Sequence, residues 1–152
     1  MADETNATYE DAQLILKLYE LRREEKLREA RDWFFREFSP ANLEDVLEVL
    51  GPGHPHNAHF RMVVSYWDMA ASFAARGPLD ANLLLESGGE LIGIWAKLEE
   101  FIPRIRELLK LPEFLRNIEQ VINRVEWASK RVKWAQERIA MAHANASQSG
   151  DS

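Results

Sequence analysis

His54-Pro-His56-Asn-Ala-His59 gathers three of the chain's four histidines into six positions. Two imidazoles and a carboxylate suffice for zinc or non-haem iron, and His56 and His59, three apart, fall on one side of a helical turn. Acidic residues are missing at the spacing that helical metal sites use: three positions before the four histidines stand Gly51, Gly53, His56 and Ala140, and no His-Glu-x-x-His occurs. The flanking Gly51-Pro52-Gly53 and Pro55 predict a stiff turn instead, with His56 or Asn57 capping the helix that follows. No metal and no cofactor is assigned. A metal-dependent activity at His54, His56 and His59 is the least favoured of three functional readings.

Other chemistry finds little support. Ser65, Ser72, Ser87 and Ser129 fall inside helical patterns, without the strained turn that exposes a nucleophilic serine. Gly88, Gly89 and Gly93 fit neither a P-loop nor a dinucleotide fingerprint. Glu86 with Glu90, and Glu99 with Glu100, resemble solvated helix faces more than acid–base pairs. The chain is therefore expected not to be an enzyme.

The most distinctive pattern is Arg124, Trp127, Arg131, Trp134, Arg138 and Met141, spaced alternately three and four apart. On a helix these side chains form one stripe in which arginine cations lie over indole faces, worth about 0.5–1 kcal/mol each when exposed. Arginine and tryptophan are also the residues over-represented at binding hot spots. The stripe is the candidate interaction surface, either for an acidic helix or protein tail or for self-association. The competing expectation is internal, with the indoles widening the core and the arginines pairing with the acidic first helix. A second reading places a small-ligand sensor pocket between helices near Trp67 and Trp95.

These residues need helices to position them, and the chain supplies helices almost throughout. Its 152 residues, 46% hydrophobic and 29% charged, are enough for one domain with its own core. No cysteine is present, which excludes disulfides and thiolate metal sites. Net charge is −6, concentrated in residues 1–50, where 13 acids face 7 bases. That acidity argues against nucleic acid as partner. The acidic start lacks the basic-then-apolar pattern of a secretion signal, and no apolar run approaches the roughly 20 residues that span a bilayer, so a cytoplasmic location without a membrane span is expected.

No strand pattern occurs. One long helix is expected from Tyr9 to Phe38, with a solvated middle over Leu21–Arg31, rich in opposite charges three and four apart. Ser39-Pro40 is expected to cap a short helix ending at Leu50, and Asn57 to Arg76 forms the third. Ser87-Gly88-Gly89 looks like a break. Yet Leu84, Gly88, Leu91, Trp95, Leu98, Ile102, Ile105 and Leu109 keep one helical phase across it, which predicts a single helix over Asp80–Leu109. The glycines would then permit close approach beneath a bulky ring, and Pro103 would kink the helix and leave the Glu99 carbonyl unpaired. Phe114, Ile118, Val121, Val125, Ala128, Val132, Ala135, Ile139 and Ala142 hold a four–three alternation, predicting one uninterrupted coiled-coil-like helix. The expectation is an all-α, up-and-down bundle of four long helices and one short one over residues 9–144, with a flexible stretch at 1–8 and a disordered tail at 145–152.

The central stretch resembles a known family. Tyr66-Trp67-Asp68-Met69-Ala70, the turn Gly77-Pro78-Leu79-Asp80, then Trp95 and Arg104 are similar to the bacterial family called domain of unknown function 4760. The resemblance covers about 40 residues and implies a helical fold. It brings no catalytic residues with it. Members of that family often carry an N-terminal membrane segment, a pattern absent from residues 1–50. Together these features favour a protein–protein interaction or scaffold module that forms a homodimer.

Overall fold

Thr8 Oγ1 accepts the backbone N–H of Asp11, while the Asp11 carboxylate accepts the N–H of Thr8, and this reciprocal cap launches α1 (Tyr9–Arg22). The computed structural model describes residues 6–150. Residues 1–5 of the expected flexible start, and 151–152 of the expected tail, lie outside the described residues.

The first long helix is interrupted. Glu24 turns extended and its carboxylate accepts the Leu27 N–H at 3.1 Å, starting α2 (Glu25–Arg36). The break lets Leu18 on one side and Leu27, Ala30 and Phe34 on the other all reach the core. Asn42, not Ser39-Pro40, caps α3 (Leu43–Leu50) by accepting the Asp45 N–H at 3.0 Å. The third segment is α4 (Asn57–Ala75), as its apolar face predicts. Phe60, Val63, Val64, Trp67, Ala70, Ala71 and Ala74 of that face are all buried.

The glycine region divides a helix after all. Asp80 caps α5 (Ala81–Ser87), Gly88 leaves helical geometry at φ −123° and ψ 60°, and α6 (Gly89–Leu98) follows. A Cβ on Gly88 would sit 2.6 Å from Trp67 Cζ3, so only a bare backbone passes beneath that indole. The expected close approach to a bulky ring is therefore real, although the continuous helix is not. A 3-10 turn over Glu99–Phe101 leads into α7 (Ile102–Leu109), with Pro103 in its first turn, where no N–H is needed. The Glu99 carbonyl is not orphaned: the tight turn gives it the Ile102 N–H.

The C-terminal rod is also broken. α8 (Arg116–Arg124) ends at Val125, which is extended at φ −117° and ψ 107°, and α9 (Glu126–Ser149) then runs on past the end of the periodic pattern. The apolar phase survives the break because Ile118, Val121, Val125, Ala128 and Val132 are all buried. Along α9 the seam fades: Ala135 and Ile139 are half-buried and Ala142 is exposed.

The result is nine α-helices with no strand among the described residues. None is long and apolar enough to cross a membrane. Two close pairs run side by side in the same direction, where hairpin neighbours would run antiparallel. On α4 and α8, the Asp68 carboxylate accepts the Ile118 N–H at 3.2 Å and the Asn117 amide at 3.0 Å. Further along both helices, Arg124 donates to the carbonyls of Ala74 and Ala75. On α6 and α9, Trp127 and Trp134 lie near Leu85 and Gly89, while Gln136 further on donates to Glu99 at 2.9 Å. The long bundle helices are thus replaced by shorter segments, and side chains from elsewhere in the fold close the ends of α1, α2 and α4 and the start of α8.

Candidate functional site

The outer face of α9 presents the arginine–tryptophan stripe, minus its first member. Arg124 lies before the Val125 break, and its guanidinium closes the C-terminal end of α4. Beyond the break, Trp134 is 50% exposed and stands between two cations, with the Arg131 guanidinium carbon 5.4 Å and the Arg138 carbon 5.0 Å from its ring centre. Among the described residues neither arginine has a carboxylate partner. The expected pairing of these arginines with the acidic first helix does not occur. Trp127 is 39% exposed and donates its indole N–H to Asn82 at 2.9 Å, which fixes its ring against α5. Leu85, Gly89, Ile92 and Gly93 floor a groove of about 470 Å³ walled by Trp127, Arg131 and Trp134. Gly89 leaves this groove open, whereas a Cβ on Gly93 would press on Phe35 at 3.2 Å.

The histidines meet around Trp33. His56 stacks on Trp33 with ring centres 4.7 Å apart, and His59 stacks on His56 at 5.4 Å. His59 also lies 6.0 Å from Trp33, and Phe38 stacks on Trp33 at 5.0 Å, so the four rings form one cluster that joins the end of α2 to the start of α4. His54 Nδ1 accepts the His56 backbone N–H at 3.1 Å, and His56 Nδ1 lies 3.2 Å from His59 Nδ1. One imidazole nitrogen of His54 is thus engaged by backbone, and one each of His56 and His59 by the other. Among the described residues no three His, Asp or Glu side chains are placed to hold a metal ion. His56 does occupy the N-cap position of α4, but its ring makes no cap bond, and the Asn57 amide reaches back to the Val49 carbonyl at 2.9 Å.

Trp67 and Trp95 do not share a cavity. Trp95 donates to Glu99 at 2.8 Å. The space beside Trp67, enclosed by Leu18, Tyr19, Arg22, Tyr66 and Leu84, measures about 20 Å³, room for about one water molecule.

Trp67 belongs instead to a polar junction that no spacing in the sequence reveals. Glu90 receives Arg31 in a bidentate grip, Nε to Oε2 at 2.8 Å and Nη2 to Oε1 at 2.5 Å, and also accepts the Trp67 indole N–H at 3.1 Å. Arg31 spends Nη1 on the Arg22 carbonyl at 3.1 Å, closing the end of α1. The hydrogen bond to Glu90 holds the Arg31 guanidinium above its ordinary pKa. Beside it the Tyr66 hydroxyl donates to the Leu18 carbonyl, and burial pushes that phenol up to about 12. Lys97 plays a similar part at the end of α2, donating to the carbonyls of Phe34 at 2.5 Å and Phe38 at 2.6 Å. Burial lowers its ammonium from 10.5 to about 8.

A family model described as Domain of unknown function (DUF4760) matches residues 7–127. The chain belongs to the DUF4760 family. The resemblance seen over the central 40 residues therefore extends across most of the molecule. No curated protein and no solved structure matches the chain. The DUF4760 match takes in Arg31, Trp67, Glu90 and Asp68, which hold the helices together, and it stops at Trp127 in the first turn of α9. Arg131, Trp134 and Arg138 lie outside the matched stretch.

Proposed function

We propose that this DUF4760 protein is a protein–protein interaction module whose docking face is the outer surface of α9, with Trp134 as its anchor. One observation carries the reading: a half-exposed indole is held between two guanidinium groups that have no carboxylate partner among the described residues. Such an arrangement is pre-organised, because the ring is already oriented and the charges are already in place, so little side-chain entropy is lost when a partner arrives. Trp127 and the glycine-floored groove add a recess beside the anchor. The partner that fits is a polypeptide presenting carboxylates around an apolar residue. In this reading the module is cytoplasmic, performs no catalytic step, and has neither nucleic acid nor a lipid surface as partner, consistent with its net charge of −6.

A photoreactive benzoylphenylalanine placed at Trp134 tests this in living cells. Irradiation is expected to join the chain to a discrete polypeptide, and the same residue at exposed Lys26 on α2 is expected to give no such adduct. If position 134 yields only solvent-quenched chain, the docking reading is wrong.

A further inference from the structure

We propose that a recess at the joint between α1 and α2 binds a phosphoryl dianion, supplied by inorganic phosphate or by a small phosphomonoester. No α9 residue borders it, so the site stands or falls independently of the docking face.

Tyr19, Arg22, Arg23 and Arg31 wall a space of about 230 Å³. Sites for drug-sized ligands begin at about 300 Å³, so this one suits a smaller occupant. Arg22 and Arg23 stand at the end of α1, and the extended Glu24 turns the chain into α2. Arg31 of α2 then reaches back, its Nη1 donating to the Arg22 carbonyl at 3.1 Å.

Arg22 supplies the deciding observation. It is half-buried, with its guanidinium carbon 4.4 Å from the Tyr19 ring centre and 5.5 Å from that of Trp67. Those rings position the cation without consuming its five N–H donors. Among the described residues neither Arg22 nor Arg23 has a carboxylate or a hydrogen-bond acceptor for its side chain. A guanidinium already oriented, with its donors unspent, is the group that grips phosphoryl oxygens two at a time.

Charge sets the class of ligand. The walls carry three guanidinium groups and, among the described residues, no acid. Glu90 neutralises one of them through Arg31. The nearby acids are turned to other partners, Glu20 to Lys17 at 3.5 Å and the Glu24 carboxylate to the Leu27 N–H at 3.1 Å. Two positive charges remain, which match a phosphoryl group carrying about −1.5 to −2 at pH 7, whereas a carboxylate would leave one uncompensated.

A helix C-terminus ordinarily repels anions, because its last carbonyls point outward. Here they are covered. The Glu20 and Leu21 carbonyls accept the N–H groups of Arg23 and Glu24 at 3.1 and 3.3 Å, and Arg31 takes the Arg22 carbonyl. The neighbouring phenol registers the surplus of positive charge: burial raises the pKa of Tyr66, while Arg22 and Arg31 both pull it down.

Isothermal titration calorimetry at constant ionic strength tests the site, with inorganic phosphate and methyl phosphate as separate probes. Saturable binding at one site per chain is expected. Binding of inorganic phosphate alone supports the site and names the free ion as its ligand. Binding of methyl phosphate as well supports it and admits monoesters. Acetate should bind at least about tenfold more weakly, as should phosphate to Arg22→Gln with Arg23→Gln and to the single variant Arg23→Glu. The glutamine at 22 keeps the carbonyl that Arg31 needs, and thermal melts in chloride confirm that each variant is folded. Three results overturn the proposal: no saturable heat from either probe, acetate binding as tightly as phosphate, or phosphate binding unchanged by the arginine substitutions.

Discussion

Two regions of this molecule use the same residue types to opposite ends. At the junction of α1, α2, α4 and α6, Arg31 and Glu90 exchange charge-assisted hydrogen bonds beside Trp67, which is buried, and nearly every donor has an acceptor. On the outer face of α9, Arg131 and Arg138 flank an exposed Trp134 and have no carboxylate among the described residues. An arginine whose donors are all engaged is a tie between backbones. One that holds only a ring keeps its donors for something else. Satisfaction of donors, not the mere presence of arginine and tryptophan, separates the two.

The contrast can be broken by mutation. Trp67→Ala removes a fully buried indole over Gly88 and should lower stability by about 3–5 kcal/mol, or roughly 6–20 °C in melting temperature. Glu90→Ala strips Arg31 and the Trp67 N–H of their acceptor at once. Because both charged groups retain some solvent, the expected loss is about 2–3 kcal/mol, below the full range for a deeply buried pair. Gly88→Ala drives a methyl into the Trp67 ring and should cost about 1–3 kcal/mol by denaturant unfolding. Trp134→Ala, by contrast, should alter stability by no more than about 0.5 kcal/mol while abolishing capture by a photoreactive residue placed at exposed Met141 on the same face. If Trp134→Ala destabilised the chain as much as Trp67→Ala, the two regions would not differ in kind.

Lys97 sharpens the comparison, since it is tied to backbone as Arg31 is but can lose its charge. Burial lowers its pKa from 10.5 to about 8, so between those values the unfolded chain binds a proton that the native chain does not. Its contribution to stability is therefore greatest above about pH 10.5 and is lost as pH falls through about 8. Relative to Lys97→Met, the unmodified protein should gain stability between pH 8 and 10, measured by urea unfolding at each pH. A parallel pH dependence in both proteins would show that Lys97 is not the group responsible.

The helical class was legible because periodicity of 3.6 reports which side of a segment is buried. What it does not report is whether the chain stays straight. Leu84, Leu91 and Trp95 hold their phase across Gly88, and Val121, Val125 and Ala128 hold theirs across an extended Val125, since the helices on either side face one core. At Glu24 the obstacle was different: strong helix formers fill the stretch, and a single carboxylate taking the Leu27 N–H was enough to start a new helix. The members of the α9 stripe were visible through local spacing. Arg31 and Glu90, 59 residues apart, and Asp68 with Ile118, 50 apart, are brought together only by tertiary packing. Arg31 stands in a run of charges in which nothing distinguishes a buried tie from a solvated side chain.

A single extended residue, Val125, absorbs the whole change of direction between α8 and α9. Upstream, Asp68 locks the start of α8 and Arg124 locks its end, so the register of that helix is set before the chain reaches the joint. Adding or deleting a residue just after it would swivel α9 by about 100° and turn Ala128 and Val132 out of the core. The aim of the outermost helix is thus fixed twice, by the joint and by the two side chains it plants in the body.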